Sequence, residues 1–214
     1  MAGSVLAQHL PPERANALSH GLGRLAALVA TLMLLPTAAN AGPPVALALV
    51  VFGGSAALLY LVSGMLHALP PGRAQDLFRV LDHCGIFLLI AATYTPFALL
   101  LFHSPGLLLV IWSVAVLGIA GEIVANALGH AAAFESVAYI FYLAMGWLPL
   151  IWFARPLLDR LPTPGLAFLI GGGVAYSVGV LFYRQRRLRY GHAIWHLFSV
   201  AGTGLHFGAV ATLL

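Results

Sequence analysis

The chain has 214 residues, of which 61% are hydrophobic and only 7% are charged, against about 25% charged residues in an average soluble domain. A soluble globule needs far more charge on its surface, so this composition excludes a soluble enzyme and a disordered chain. It also argues against a nucleic-acid-binding protein, although the net charge is +4. The single cysteine, Cys84, excludes an internal disulfide, and we expect no signal peptide because no apolar core follows a positive charge near the N-terminus.

Proline, glycine and charged residues divide the chain into seven apolar stretches, each about as long as the 20 residues that a membrane-spanning helix needs. The stretches are continuous rather than alternating, which favours helices over the strands of a membrane β-barrel. We therefore predict an all-α membrane protein in which residues 1–214 form one seven-helix transmembrane domain. The predicted spans cover residues 21–39, 45–69, 82–102, 106–127, 134–154, 164–183 and 191–213.

Arginine placement predicts the orientation of the chain, because basic residues are enriched in cytoplasmic loops. Only two arginines, Arg155 and Arg160, fall on one side of the predicted membrane. The other side has Arg14, Arg24, Arg73, Arg79, Arg184, Arg186, Arg187 and Arg189. This bias predicts a cytoplasmic N-terminus and an external C-terminus, which an odd number of spans also requires.

Residues 1–20 precede the first span as a cytoplasmic segment that could form a short amphipathic helix. Its sequence ERANALSH places Glu13, Asn16 and His20 on the cytoplasmic side of the membrane. A plain membrane-surface anchor explains this pattern as well as a functional segment does.

The second and third predicted spans carry polar residues near their cytoplasmic ends. Ser63 and His67 are four residues apart and share one helix face. Asp82 begins the third span, where it is either a helix-capping carboxylate or a functional group. His83 points about 100° away from Asp82, so we expect it to face a loop or lipid headgroups.

Two further spans contain residues of uncertain role. Glu122 and Asn126 share a face of the fourth span, where they either line a cavity with the other polar residues or pair with an arginine. Gly171, Gly172 and Gly173 lie inside an apolar span, which excludes a phosphate-binding loop and favours close helix packing.

The last span has a polar stripe on an otherwise apolar helix. His192 and His196 are four residues apart, and Ser199, Thr203 and His206 continue the same face. His206 lies ten residues beyond His196, about 15 Å deeper, so we expect it to make an interior hydrogen bond rather than to join the other two histidines.

The predicted topology places His67, Asp82, His192 and His196 at one membrane depth. Ionisable residues inside a membrane are costly, at about 3 kcal/mol or more, and usually mark a functional site. Three histidines suit Zn²⁺, which in catalytic sites keeps an open position for water and makes that water more acidic. Asp82 could orient or deprotonate the water, with Ser63 as a supporting donor. A haem is the alternative cofactor; it would need His67 opposite one of the other two histidines and would leave Asp82 unexplained.

Five segments together resemble the bacterial hemolysin-III family of the progestin and adipoQ receptor superfamily. They are ERANALSHGLG, the Ser63/His67 pair, LDHCGIFLLIAATYTPF, FYLAMGWLPL and HAIWHLFSVAGTGLHF. The resemblance implies seven helices, a cytoplasmic N-terminus, a zinc ion on His67, His192 and His196, and Asp82 and Ser63 close to the metal. It also implies that the N-terminal ERANALSH segment packs under the site as a lid.

The resemblance implies three possible functions in the bacterial inner membrane. The first is a zinc-dependent hydrolase of lipid amides or esters, or a factor in membrane-lipid homeostasis, with Asp82 as the base. The second is a receptor-like sensor in which zinc is structural, and the third is a pore-forming hemolysin. Membrane lipids are the expected partners, while the substrate and the oligomeric state are open.

Overall fold

The computed structural model describes residues 2–185 and 187–214, with side chains from residue 11 onward. These residues form eight α-helices and one π-helical segment, Ala98–Phe102, which prolongs the third helix. In chain order the helices are α1 (Ala2–Asn40), α2 (Pro43–Ala68), α3 (Arg73–Phe97), α4 (Pro105–Ala127), α5 (Ala131–Trp152), α6 (Ala154–Arg160), α7 (Thr163–Arg184) and α8 (Gly191–Ala211).

Six helical segments in the described part of the chain are long and apolar enough to cross a membrane. They are Pro11–Asn40, Pro43–Ala68, Arg73–Phe102, Pro105–Ala127, Ala131–Trp152 and Thr163–Arg184. Their outward faces carry lipid-facing side chains such as Leu109 and Leu117, each 71% exposed. The protein is therefore an all-helical, multi-pass membrane protein.

Helix α8, Gly191–Ala211, covers most of the seventh predicted span, 191–213, but it is not among these six segments. A crossing by α8 thus stays a prediction, and so do the seven-span count and the orientation of the termini. Arg186, one of the arginines behind the predicted orientation, lies outside the described residues.

Two helices begin earlier than the hydropathy predicted. Helix α1 includes the ERANALSH segment, so this segment is continuous with the first span rather than a separate short helix. Helix α3 begins at Arg73, with Gly72 as its N-cap residue. Asp82 therefore lies in the third turn of α3, and the prediction that it caps the helix is wrong.

Local sequence signals account for several helix ends. Ser104 caps α4, because its Oγ accepts a hydrogen bond from the Leu107 amide at 3.2 Å, and Pro105 follows at the first helical position. Gly129 ends the same helix with a φ of +76°, a conformation that glycine adopts without strain.

Two apolar clusters form the interior of the bundle. In the first, α1, α2 and α8 pack together, and the rings of Phe52 and Phe207 stack at 4.3 Å between centroids. In the second, α3, α4 and α5 enclose Phe87, Ile111 and Met145. A cavity of about 420 Å³ opens between the clusters, and α8 reaches it from the α7 side.

The glycines of α7 allow that close approach, as predicted, and Gly172 is the critical one. A Cβ atom at Gly172 would collide with the ring of His206, and one at Gly173 would come within 3.1 Å of Trp147. A Cβ atom at Gly171 would lie 3.6 Å from Leu205, an ordinary contact.

Candidate metal centre

Three imidazoles converge where the end of α2 meets the first two turns of α8. Their candidate ligand nitrogens all lie within 4.8 Å of one another. The ring centroids are separated by 4.8 Å for His67–His192, 5.1 Å for His67–His196 and 4.5 Å for His192–His196. The predicted meeting of these residues is thus confirmed, and the arrangement could hold one metal ion.

The Nδ1 atoms of two rings are already engaged by α1. Nδ1 of His67 lies 2.7 Å from Oε2 of Glu13. Nδ1 of His196 lies 3.1 Å from the carbonyl oxygen of Asn16 and 3.0 Å from Oγ of Ser19. A carboxylate and a carbonyl accept hydrogen bonds, so the neutral tautomer that fits these partners has its proton on Nδ1 and a lone pair on Nε2.

Nε2 of His67 is buried and has no hydrogen-bond partner among the described residues. An unpaired buried acceptor is destabilising unless a ligand satisfies it. Metal-binding histidines in proteins show this same pattern, with one nitrogen on the metal and the other donated to a carboxylate or carbonyl. The residues present therefore fit a metal ion.

A haem fits the same residues poorly. Its macrocycle would have to lie between His67 and one ring of α8, in space that the third histidine occupies. Three nitrogen donors around one point are instead the usual protein ligand set of a catalytic zinc.

His20 is a further residue of α1 that contacts the site of the three histidines. Its ring stacks on that of His196, with centroids 3.5 Å apart and planes 13° from parallel. Neither ring nitrogen of His20 has a partner within the described ranges, and both are buried. Glu13, Asn16 and His20 thus pack against the histidines, as the family resemblance implied for this segment.

Asp82 and Ser63 line the same cavity as the three histidines. Ser63 is 1% exposed, and its buried hydroxyl makes no short hydrogen bond to the described residues but lies beside the Asp82 carboxyl group. Asp82 approaches from α3, which thus joins α1, α2 and α8 around this end of the cavity. This arrangement leaves a carboxylate and a hydroxyl available to a bound ligand.

His83 was expected to face a loop or headgroups, and that expectation is wrong. Its Nδ1 lies 2.9 Å from Oε1 of Glu122 on α4, and its backbone carbonyl accepts a hydrogen bond from Tyr142. The ring also lines the cavity, whereas Glu122 lies behind it and Asn126 is exposed. Glu122 was expected either to line the cavity or to pair with an arginine. It does neither, because its partner is His83.

The far end of the cavity is also polar. Tyr60 and Tyr176 both bond the hydroxyl of Thr203, the former at 2.6 Å. Nε2 of His206 lies 3.3 Å from the carbonyl oxygen of Leu169, which confirms the interior hydrogen bond predicted for this residue. His206 nevertheless lines the cavity, so a ligand reaching that end would contact it.

Sequence reasoning missed Ser19 and Tyr60, although both follow a helical spacing that could have revealed them. Ser19 is three residues after Asn16, and Tyr60 is three before Ser63 and seven before His67. The carboxylate of Glu135 was missed as well; its Oε1 accepts hydrogen bonds from Tyr139 at 2.6 Å and Tyr183 at 2.9 Å.

Comparison with known proteins places this site in a family. The family described as Haemolysin-III related matches residues 8–207, which include every candidate site residue. The chain belongs to the haemolysin-III family. It is 38% identical to Hemolysin-3 of Bacillus cereus over 209 residues, covering 96% of this chain and 93% of that protein.

Two other relatives extend the comparison. The Hemolysin-3 homolog of Bacillus subtilis (strain 168) is 38% identical over 202 residues, covering 92% of each chain. The human Monocyte to macrophage differentiation factor is 28% identical over 166 residues, covering 75% of this chain and 67% of that protein. The family resemblance drawn from the five sequence segments is thereby confirmed.

Proposed function

We propose that this protein is a zinc-dependent hydrolase of lipid amides or esters in the bacterial inner membrane. His67, His192 and His196 would hold the Zn²⁺ ion through their Nε2 atoms. The observation that carries the proposal is the convergence of three imidazoles, two of them locked by α1 with their lone pairs turned inward. When bound, zinc supplies Lewis-acid chemistry, which polarises a carbonyl and makes water more acidic.

The cavity supports a lipid as the substrate. Its volume of about 420 Å³ lies within the usual range for small-molecule sites, and its walls between the two ends are mainly apolar. An acyl chain fits these walls, while the carbonyl group stays at the polar mouth beside the histidines. Binding in this register brings the scissile bond to Asp82.

Asp82 and Ser63 supply the remaining chemistry. The carboxylate of Asp82 takes a proton from the attacking water, and the same group can return it to the leaving nitrogen or oxygen as the acyl bond breaks. Ser63, which is buried with an unpaired hydroxyl, donates a hydrogen bond that orients the water or the substrate.

Metal analysis of the purified protein tests the zinc site. We expect one equivalent of zinc in the wild type and its loss in His67→Ala and in His192→Ala. The matched control is His206→Ala, which removes another cavity histidine and should keep the metal. Retention of one equivalent in the double variant His67→Ala/His192→Ala would overturn the site.

Lipid turnover separates a hydrolase from a receptor-like sensor with structural zinc. Purified wild type and Asp82→Asn, both with full zinc occupancy, are compared on ceramides and phospholipids. If the protein is a hydrolase, the turnover rate should fall at least 100-fold in Asp82→Asn. Loss of a general acid–base group typically lowers the rate by about 10²–10⁴-fold. Turnover at the background rate in both proteins contradicts the enzymatic role and favours the sensor, whereas equal turnover above background contradicts only the role of Asp82.

A further inference from the structure

The His83–Glu122 pair is an ionisable cluster that the proposed zinc chemistry does not use. Glu122 is 3% exposed and His83 is 17% exposed, and 2.9 Å separates Oε1 from Nδ1. The second carboxyl oxygen of Glu122 is buried and has no partner within residues 11–185 and 187–214. The pair therefore sits inside the bundle, where His83 lines the cavity and Glu122 does not.

The charge of this pair determines what His83 offers to the cavity. A buried carboxylate is costly without a countercharge, so the pair is stable when it is neutral overall. In two neutral forms, a carboxylate with an imidazolium and a carboxylic acid that donates to Nδ1 of a neutral imidazole, the second proton of the pair lies on Nε2. A third neutral form, with the acid proton on Oε2, buries that O–H without an acceptor among the described residues, which is costly.

We propose that His83 is a ligand-binding residue whose Nε2–H donates a hydrogen bond to the carbonyl oxygen of the bound lipid. Glu122 is a positioning residue that holds the ring and its protonation pattern. The inference rests on the proposed function only in taking a lipid carbonyl as the ligand. A donor placed beside the acceptor Asp82 completes a site for a carbonyl group and its attacking water.

Arg79 is a charged hydrogen-bond donor close to His83, so it needs a control of its own. Arg79 also lines the cavity, and its side chain bonds Asp76 at 3.0 Å on the exposed surface. An Arg79→Gln variant removes this cation and leaves the His83–Glu122 pair intact. His83 and Arg79 can thus be tested independently.

The experiment compares two neutral lipids that differ only at the carbonyl. The probes are 1-monolauroylglycerol, an ester, and 1-O-dodecylglycerol, the ether in which a CH₂ group replaces the carbonyl. Binding to metal-free protein in detergent is followed by the fluorescence of Trp147 and Trp195, which line the cavity. Removing the metal restricts carbonyl recognition to protein groups.

We expect the wild type to bind the ester about tenfold more tightly than the ether, as one strong hydrogen bond provides. In His83→Leu this ratio should fall to about one, while the ether affinity stays unchanged and so reports an intact cavity. His83→Gln should keep part of the ratio, because its amide nitrogen can occupy the position of Nε2. Arg79→Gln and His206→Leu should both keep the wild-type ratio.

Glu122 is tested by the same ratio. Glu122→Leu should lower it towards one, and Glu122→Gln should restore most of it, because the amide can donate to Nδ1 and leave the proton on Nε2. A wild-type ratio near one, or an equal ratio in wild type and His83→Leu, overturns the inference. Missing lipid turnover with a His83-dependent ratio contradicts the hydrolase proposal alone.

Discussion

Glu13 and His67 are 54 positions apart in the chain, yet Oε2 of Glu13 lies 2.7 Å from Nδ1 of His67. The contact joins the first turns of the apolar part of α1 to the last turn of α2. It occupies Nδ1 and leaves Nε2, which is buried without a partner among the described residues, for a metal ion. Helix α1 is therefore part of the candidate metal centre, although it contributes none of the three converging imidazoles.

This contact predicts that Glu13 sets the metal affinity. Substitution Glu13→Leu removes the acceptor for Nδ1, and loss of such a partner typically weakens metal binding about 10- to 100-fold. Glu13→Gln keeps an acceptor oxygen without the charge, so we expect a smaller loss. The measurement is the zinc affinity in competition with a chromogenic chelator.

Arg14→Gln is the matched control, because Arg14 is the exposed neighbour of Glu13 and also carries a charge on the same turn of α1. We expect wild-type affinity from this variant. Shifts of similar size and opposite sign, with tighter binding in Arg14→Gln and weaker binding in Glu13→Gln, mean that the net charge of the segment, rather than the contact with His67, controls zinc binding.

Substitutions of His20 separate two contributions to stability at this site: the packing of its ring and the polarity of its ring nitrogens. His20→Phe keeps a ring against His196 and removes two buried nitrogens that lack partners, each costing about 1–3 kcal/mol when unmet. We expect its melting temperature in detergent to equal or exceed that of the wild type. His20→Ala leaves a cavity and should lower the stability by about 2 kcal/mol.

The opposite order of these two variants carries a different meaning. A His20→Phe protein less stable than His20→Ala shows that the ring nitrogens bind a group in the folded protein. The pair of substitutions thus separates the contribution of the stacked ring from that of its polar atoms.

The convergence of the three histidines could be predicted because it depends on two simple regularities. An i, i+4 spacing puts His192 and His196 on one face of α8, and the predicted alternation of the spans places the end of α2 level with the start of α8. Neither regularity requires knowledge of which helices are neighbours. Length, periodicity and charge are therefore sufficient for that part of the site.

The His83–Glu122 pair could not be predicted in this way, because it depends on α3 and α4 packing side by side at one rotation. The start of α3 was missed for another reason. Arg73, Asp76 and Arg79 lower the hydropathy of its first turns, but charged residues do not interrupt a helix that projects from the membrane. A hydropathy boundary consequently marks the edge of the lipid rather than the end of the helix.

The hydroxyl of Thr203 on α8 connects three helices, so its removal should lower the stability of the protein measurably. It lies between the hydroxyl groups of Tyr60 on α2 and Tyr176 on α7, and it is 2% exposed. Thr203→Val keeps the shape but removes the partner of the Tyr176 hydroxyl, while the Tyr60 hydroxyl keeps its bond to the Ser199 carbonyl oxygen, so we expect a loss of about 1–3 kcal/mol. Thr31→Val is the control. The Thr31 hydroxyl donates a hydrogen bond to the Ala27 carbonyl of its own helix, so the loss of stability should be smaller than in Thr203→Val.

The α7–α8 contact gives the last prediction, through Gly172. An alanine there would place its Cβ in the ring of His206, so the helices must separate or the ring must move. Overpacking of this kind typically costs about 1–3 kcal/mol, and we expect a lower melting temperature for Gly172→Ala. Gly171→Ala has room for its Cβ and gains helix propensity, worth about 1 kcal/mol, so it should be neutral or stabilising. Since His206 lines the cavity, Gly172→Ala should also weaken lipid binding. The contrary result is a Gly172→Ala protein that is as stable as Gly171→Ala and binds lipid as the wild type does. It would show that α7 and α8 have room for a Cβ atom at position 172.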